Sequence, residues 1–293
     1  MLHKVLSYCL FKPKILPQHR LHDKWMNEPL RYWFNLPAVA MTNKILYPDY
    51  KMILYVSENV WDEELSSVLN ALQDLDNLAI ETIKMDYVGT EPAIWRMMPL
   101  WDREVEILHT RDIDSLPSEI EYRYGRVFEK SNCSLGTLRM HPNHYGIKCR
   151  MLAGVSSFKP QEIPPQLKLN NFQTYFSFRH NDYGSDQDLM IHRFTVHPSY
   201  TKDKFLDHCD FEQHNPQDFP CVRVESSQLE KVNISESQQK LFDCLKENNL
   251  NNWSGDPVDA RGAYTNFLFQ QNEFKEIQDK ICEHNLLKEF YFQ

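Results

Sequence analysis

Glu104-Val105-Glu106-Ile107-Leu108-His109-Thr110-Arg111-Asp112-Ile113-Asp114-Ser115 is the stretch that decides the fold. Glu104 to Thr110 reads as a β-strand. It runs directly into two carboxylates, Asp112 and Asp114. In open α/β sheets, ligands sit beyond the carboxyl ends of the strands. Two carboxylates there can hold a hard divalent cation through oxygen, and that cation can neutralise a diphosphate. Asp-x-Asp also occurs at Asp74/Asp76 and Asp186/Asp188, so spacing alone decides little. Asp74/Asp76 falls in a polar turn at a helix end and reads as solvated. A buried strand end is what favours Asp112 and Asp114.

Working outward, strands and helices alternate. Lys4 to Phe11, Lys51 to Ser57 and Leu78 to Met85 read as strands. Asp23 to Leu36, Trp61 to Leu75 and Pro117 to Lys130 read as helices, the last with Pro in its first turn. Met151 to Phe158 and Phe172 to Phe178 are strand-like, and Asp188 to Val196 reads as a short helix. Such alternation predicts an α/β fold with a parallel or mostly parallel sheet and helices on both faces. After Arg223 the character changes. Ser235 to Glu247, Val258 to Gln270 and Asn272 to Glu283 read as amphipathic helices. The expected organisation is a catalytic α/β unit over residues 1–225 and a helical C-terminal region over 226–293.

The chain has 293 residues, with 42% apolar and 25% charged side chains. That composition is ordinary for a globular protein and excludes a disordered tail, a collagen repeat or a coiled coil. With 8 Gly, and neither GxGxxG nor GxxxxGK[ST], no dinucleotide fingerprint or P-loop is present. The net charge of −9 argues against a protein that grips nucleic acid chiefly through phosphates. A local basic face could still come from the first 24 residues with Arg123, Arg126, Lys130 and Arg139. The 7 cysteines include no CxxC pair, so a thiolate zinc site or disulfide framework is not expected. The N-terminal apolar run is short for a signal peptide, and no stretch approaches a membrane span. A cytoplasmic protein is the expectation.

His141, His144 and His208 are candidate metal ligands or proton carriers. Asp186 and Gln187 follow Tyr183-Gly184, where a turn delivers polar side chains to a helix start; a simple N-cap would look the same.

These residues stand in a recognisable order. Trp95-Arg96-Met97-Met98-Pro99-Leu100 is followed by Arg111-Asp112-Ile113-Asp114-Ser115, then Met140-His141-Pro142-Asn143-His144 and Ala153-Gly154-Val155. Tyr183-Gly184-Ser185-Asp186-Gln187, His208, Phe219-Pro220 and Arg223 complete it. The order resembles a group of glycosyltransferase-like proteins of viruses and bacteria with the GT-A fold, over residues 3 to 223. It is also distantly similar to glycogenin-like transferases.

The resemblance implies a GT-A-like, Rossmann-like mixed sheet flanked by helices, and a metal-dependent transferase using a nucleotide-sugar, by family habit a UDP-sugar. Asp112 and Asp114 would match the D-x-D that binds Mn²⁺ (or Mg²⁺) and the donor diphosphate, with His208 as third ligand. Ala153 and Gly154 would line the donor sugar. Asp186 and Gln187 would stand near the reacting carbon. Arg111 would contact the donor, and His141 and His144 would shape the acceptor side. The chain departs from the family at Met140, where an Asp is usual, at Val155-Ser156-Ser157-Phe158 and at His208-Cys209-Asp210. The acceptor is a hydroxyl, with a hydroxymethylated base of viral or phage DNA among the candidates. A non-catalytic sugar-nucleotide-binding module and a metal-dependent nucleotidyltransferase are the alternatives.

Overall fold

The computed structural model describes residues 2–12, 32, 35–60, 63–87, 89–140, 151–168, 185–197, 199–209, 221–250, 263–283, 285, 288 and 291. Most of the helix expected at Asp23 to Leu36, the strand-like Phe172 to Phe178, and His141, His144, Tyr183, Gly184, Phe219 and Pro220 lie outside the described residues.

Strands β1 (His3–Leu10), β2 (Lys51–Ser57), β3 (Leu78–Ile83), β4 (Val105–Arg111), β5 (Leu135–Leu138), β6 (Val155–Phe158), β7 (Phe205–His208) and β8 (Val222–Arg223) form one sheet. Its order is β3-β2-β1-β4-β6-β5-β7-β8. Every pairing is parallel except those of β6, which runs antiparallel to both β4 and β5. The chain therefore builds outward from β1 through β2 to β3, then returns to β4 on the other side of β1. The carboxyl ends of β1 and β4 flank this switch point, where open sheets bind ligands.

The central strands are buried on both faces, which explains their near-continuous apolar sequence. On β1, Leu6, Tyr8 and Leu10 join one core, while Val5 and Cys9 join the other. On β4, Val105 and Leu108 fall in the same core although three residues apart, because the register slips between His3 and Lys4. A bulge of this kind resets the alternation.

The first face is covered by α1 (Leu36–Leu46), α2 (Glu63–Leu72) and α3 (Glu119–Lys130). Helix α3 starts after Ser118, which accepts the Glu121 N–H at 3.1 Å while the Glu121 carboxylate accepts the Ser118 N–H at 3.0 Å. This capping box places Pro117 ahead of the cap rather than in the first turn. The second face carries a 3₁₀ helix (Glu91–Trp101), the short α4 (Pro165–Lys168) and α5 (Ser185–Met190), which continues into a π turn (Ile191–Thr195).

After β8 come α6 (Ser226–Leu229), α7 (Glu236–Glu247), α8 (Ala263–Phe269) and α9 (Lys275–Glu283). Helices α7 and α8 pack on α1, and α9 packs on α2. Leu241, Leu245, Tyr264, Leu268, Ile277 and Ile281 belong to the same core as Leu6 and Leu54. Gln238 Nε2 donates to the Leu46 carbonyl at 3.1 Å, satisfying the end of α1. Among the described residues no helix is long and apolar enough to cross a membrane.

His109 is buried beneath α3. Its ring stacks on Tyr50, with Nδ1 2.7 Å from Ser157 Oγ and Nε2 3.1 Å from the Tyr50 hydroxyl. Burial, reinforced by Arg111, Arg126 and Lys4, holds its pKa well below the ordinary value of 6.5. The folded ring stays neutral while the unfolded one takes a proton below about pH 6.5, so stability is full above that pH and falls below it. The expected loss is about 1.4 kcal/mol per pH unit. Urea midpoints at pH 7 and pH 5 measure it. His109→Gln should flatten the slope, and an unchanged slope would refute the assignment.

Candidate active site

Arg96 organises the site. It interrupts an apolar stretch of the 3₁₀ helix, between Trp95 and Met97, and is itself buried. A guanidinium there must find carboxylates or lose its charge to desolvation. It finds two. Nη1 ion-pairs with Asp112 Oδ1, and Nη2 donates to Asp186 Oδ2 at 2.6 Å. Nη1 also reaches the Arg111 carbonyl at 3.2 Å. Burial works to lower the Arg96 pKa, but Asp112 and Asp186 outweigh it and raise the value further. One fixed cation thus ties the end of β4 to the start of α5.

Gly154 closes the other side of Asp112. The turn Leu152-Ala153-Gly154-Val155 is held by the Val155 N–H on the Leu152 carbonyl at 3.2 Å. Thr110 Oγ1 donates to the Ala153 carbonyl at 2.7 Å, and Thr137 Oγ1 accepts the Leu152 N–H at 3.2 Å. So fixed, Gly154 lies directly against the Asp112 carboxylate, and a Cβ there would overlap Oδ2. Asp112 nevertheless keeps 40% of its side-chain surface exposed, whereas Asp186 keeps 11%.

The structure thereby brings together Asp112, Ala153, Gly154 and Asp186. Gln187 follows on α5, half-buried, and Asp114 is buried in the turn after β4. Arg111 goes elsewhere. It shares a face of β4 with His109 and is buried in an ion pair with Glu121, with Nη2 3.2 Å from the Tyr47 hydroxyl. His208 ends β7, which lies three strands beyond β4 in the sheet order. Its Nδ1–H donates to the Val224 carbonyl at 2.8 Å.

Asp112 Oδ1 is engaged by Arg96 and Oδ2 is set against Gly154. Among the described residues, no three His, Cys, Asp or Glu side chains are grouped to hold a cation. The residues as placed do not fit a metal held by Asp112, Asp114 and His208 together. Cys9 supplies no nucleophile either. Its buried thiol donates to the Ala93 carbonyl at 3.7 Å, and burial pushes its pKa up to about 12.

Several cations considered for a nucleic-acid face are already committed. Arg126 pairs with Asp49 and Glu129, Arg123 with Glu119, and Lys4 with Asp49 and Glu129. Arg139 is fully buried on Asp207. Lys130 is exposed.

Arg96 received no role from sequence reasoning. The signal available was a lone charge in Ile94-Trp95-Arg96-Met97-Met98, where a buried cation requires an acidic partner.

Glycine positions give contrasting expectations. Gly154→Ala would displace the partly exposed Asp112 from Arg96, so folding stability should change by less than about 1 kcal/mol while ligand binding at this edge is lost. Gly136→Ala would press Cβ into the Tyr124 hydroxyl and to 2.9 Å from the Phe128 ring. That ring cannot move aside, and overpacking should cost about 1–3 kcal/mol. Thermal melts of the two variants, with and without nucleotide-sugar, check both.

No family model matches the chain, and no curated protein matches it. Solved structures do. An active-site mutant of LgtC aligns at 10% identity and TM-score 0.41, covering 75% of this chain and 84% of that one. TarS of S. aureus in complex with UDP-GlcNAc aligns at 11% identity and TM-score 0.45, covering 97% and 73%. A nucleotide-diphospho-sugar transferase from Desulfovibrio desulfuricans aligns at 9% identity and TM-score 0.38, covering 96% and 99%. The chain's own sheet order defines a mixed α/β fold.

Proposed function

We propose that the protein is a glycosyltransferase that moves a sugar from a nucleotide-sugar, by family habit a UDP-sugar, to a hydroxyl acceptor. The observation that carries this reading is the carboxylate pair Asp112 and Asp186, locked by Arg96 beside Gly154 at the switch point of the sheet. Carboxylates fixed by a shared guanidinium are rigid hydrogen-bond acceptors. They suit the hydroxyls of a sugar, and they need no reorganisation when ligand arrives.

Transfer breaks the bond between the anomeric carbon and the diphosphate. Positive charge builds on that carbon and negative charge on the leaving oxygen. Asp186 places a fixed negative charge on the sugar side, and Gln187 offers amide groups next to it. The close approach at Gly154 seats the Asp112 carboxylate against the turn. No step is assigned to a metal ion, since among the described residues Asp112, Asp114 and His208 are not grouped to hold one.

The acceptor is proposed as a hydroxyl group. A hydroxymethylated DNA base is one chemistry the resemblance offers. Of the basic residues that could form a DNA face, Lys4, Arg123, Arg126 and Arg139 are held in ion pairs. A cytoplasmic location is part of the same proposal.

The test is a thermal-shift screen of nucleotide-sugars, followed by analysis of the released nucleotide. Stabilisation by one donor with release of its intact nucleoside diphosphate supports the proposal. Pyrophosphate release from a nucleoside triphosphate and a sugar phosphate would instead establish a nucleotidyltransferase. Binding without turnover across hydroxyl acceptors would establish a binding module.

A further inference from the structure

Three buried hydroxyls stand in one row across the sheet. Thr110 on β4 is in register with Ser156 on β6, and Ser156 with Thr137 on β5. None of them is more than 1% exposed. Buried strand positions are ordinarily filled by Val or Ile. A hydroxyl taken out of water is costly unless it is hydrogen-bonded. All three direct their bonds to one short segment, Leu152-Ala153-Gly154-Val155. Thr110 Oγ1 donates to the Ala153 carbonyl at 2.7 Å, and Ser156 Oγ donates to the Leu152 carbonyl. Thr137 Oγ1 accepts the Leu152 N–H at 3.2 Å. The row is therefore a polar seat for this turn, where apolar side chains would have given a plain packing surface.

Thr110 is the member that links the seat to the carboxylate pair. It stands two residues before Asp112, and Arg111 between them turns away to Glu121. The turn thus meets the end of β4 twice, through the Ala153 carbonyl on Thr110 and through Gly154 on Asp112. The backbone keeps these contacts in step, since Arg111 is in register with Val155. Arg96 holds Asp112 from its other side.

We infer that Thr110 is a positioning residue of the proposed transferase. Through the Ala153 carbonyl it fixes the Gly154 turn, and the turn fixes which face of the Asp112 carboxylate a donor sugar can reach. Removing the Thr110 hydroxyl takes this donor from the Ala153 carbonyl and loosens the turn. Asp112 then keeps its charge but loses the wall that aligns it with Arg96. Binding groups work only as well as the contacts that hold them in place. The inference rests on the transferase reading for the identity of the ligand, but the link from Thr110 to the turn does not.

The experiment compares three variants of the full chain. Thr110→Val keeps the shape and removes the hydroxyl, and Thr110→Ser keeps the hydroxyl. Thr42→Val is the control. It removes a buried hydroxyl on α1 that lies 2.5 Å from the Tyr264 hydroxyl, in the other core. Amide hydrogen exchange reads the link without any ligand. The Leu152 and Val155 amides should exchange roughly 3- to 10-fold faster in Thr110→Val, the worth of one neutral hydrogen bond. They should keep their ordinary rates in Thr110→Ser and Thr42→Val. Titration with UDP-, GDP-, ADP- and dTDP-sugars and the matching nucleoside diphosphates then reads the site. The nucleotide-sugar that binds the unaltered protein should bind Thr110→Val roughly 3- to 10-fold more weakly. Its nucleoside diphosphate should bind unchanged, Thr110→Ser should recover most of the loss, and Thr42→Val should bind as the unaltered protein does. Unchanged exchange at Leu152 and Val155 in Thr110→Val overturns the link. Faster exchange with undiminished nucleotide-sugar affinity, or with an equal loss for the nucleoside diphosphate, overturns the positioning role and leaves the transferase standing. An unaltered protein that binds no nucleotide-sugar sinks the transferase and the positioning role together, and faster exchange would then make Thr110 a structural brace of the turn alone.

Discussion

Asp207→Asn is expected to cost about 3–5 kcal/mol of folding stability, the range seen when one partner of a buried ion pair is removed. Asp207 and Arg139 are completely buried, and the guanidiniums of Arg139 and Arg223 both converge on this one carboxylate. An amide in its place keeps the shape but removes the negative charge that the Arg139 fork is paired with in a region water cannot reach. Typical domains are stable by only about 5–15 kcal/mol, so a large share of the total would be lost. Urea denaturation at pH 7 measures this. A loss under about 1 kcal/mol would show that water reaches the cluster after all. The double change Arg139→Met with Asp207→Leu separates charge from packing. Apolar replacements of both partners in a buried pair are often neutral or stabilising. The double variant should therefore be more stable than Asp207→Asn, whatever its effect on ligand binding.

The parts of the fold that could be read from the sequence are those whose burial leaves a pattern. Strand β2 has the limits read for it, Lys51 to Ser57, because both of its faces are buried and its apolar run is unbroken. Strands β1 and β4 agree to within a residue or two for the same reason, and the half-buried edge strand β3 agrees equally well through its β-prone composition. Strands β5, β7 and β8 were not legible. They span two to four residues and carry Gly136, Asp207, His208 and Arg223, which are strand residues only through pairing. The reversal of β6 was equally hidden, since direction is set by which neighbours a strand meets.

The carboxylates after β4 could be located because a strand end in this topology faces the ligand edge. What they touch could not, since Arg96, Asp112 and Asp186 are joined only by tertiary packing. The burial of Arg111 against Glu121 could have been read. Period two puts it on the face of His109, against α3, and that alternation was already present in the sequence.

The largest expected effect on ligand binding comes from Arg96→Met. Methionine fills a similar volume in the core of the second face but leaves Asp112 and Asp186 facing each other without the cation between them. Asp186 is nearly buried, so its carboxylate would be stabilised in the neutral form. Two consequences follow. The pair loses its rigid geometry, and donor affinity should fall by roughly 100-fold, the equivalent of one or two charge-assisted hydrogen bonds at about 1.5–3 kcal/mol each. The pH dependence of stability should also flatten, because a proton taken up by the folded carboxylate offsets the one taken up by the unfolded His109 ring. In the unaltered protein the depressed His109 makes stability fall as pH drops from 7 to 5. In Arg96→Met a carboxylate with a raised pKa binds its proton more tightly when folded, so its contribution grows as pH drops through the same window. Arg96→Lys should fall between the two, because an ammonium cannot fork to both carboxylates. Urea midpoints across pH 5 to 7 and titration with the best donor check these expectations. An Arg96→Met protein that keeps both the donor affinity and the pH slope of the unaltered chain would remove Arg96 from the site.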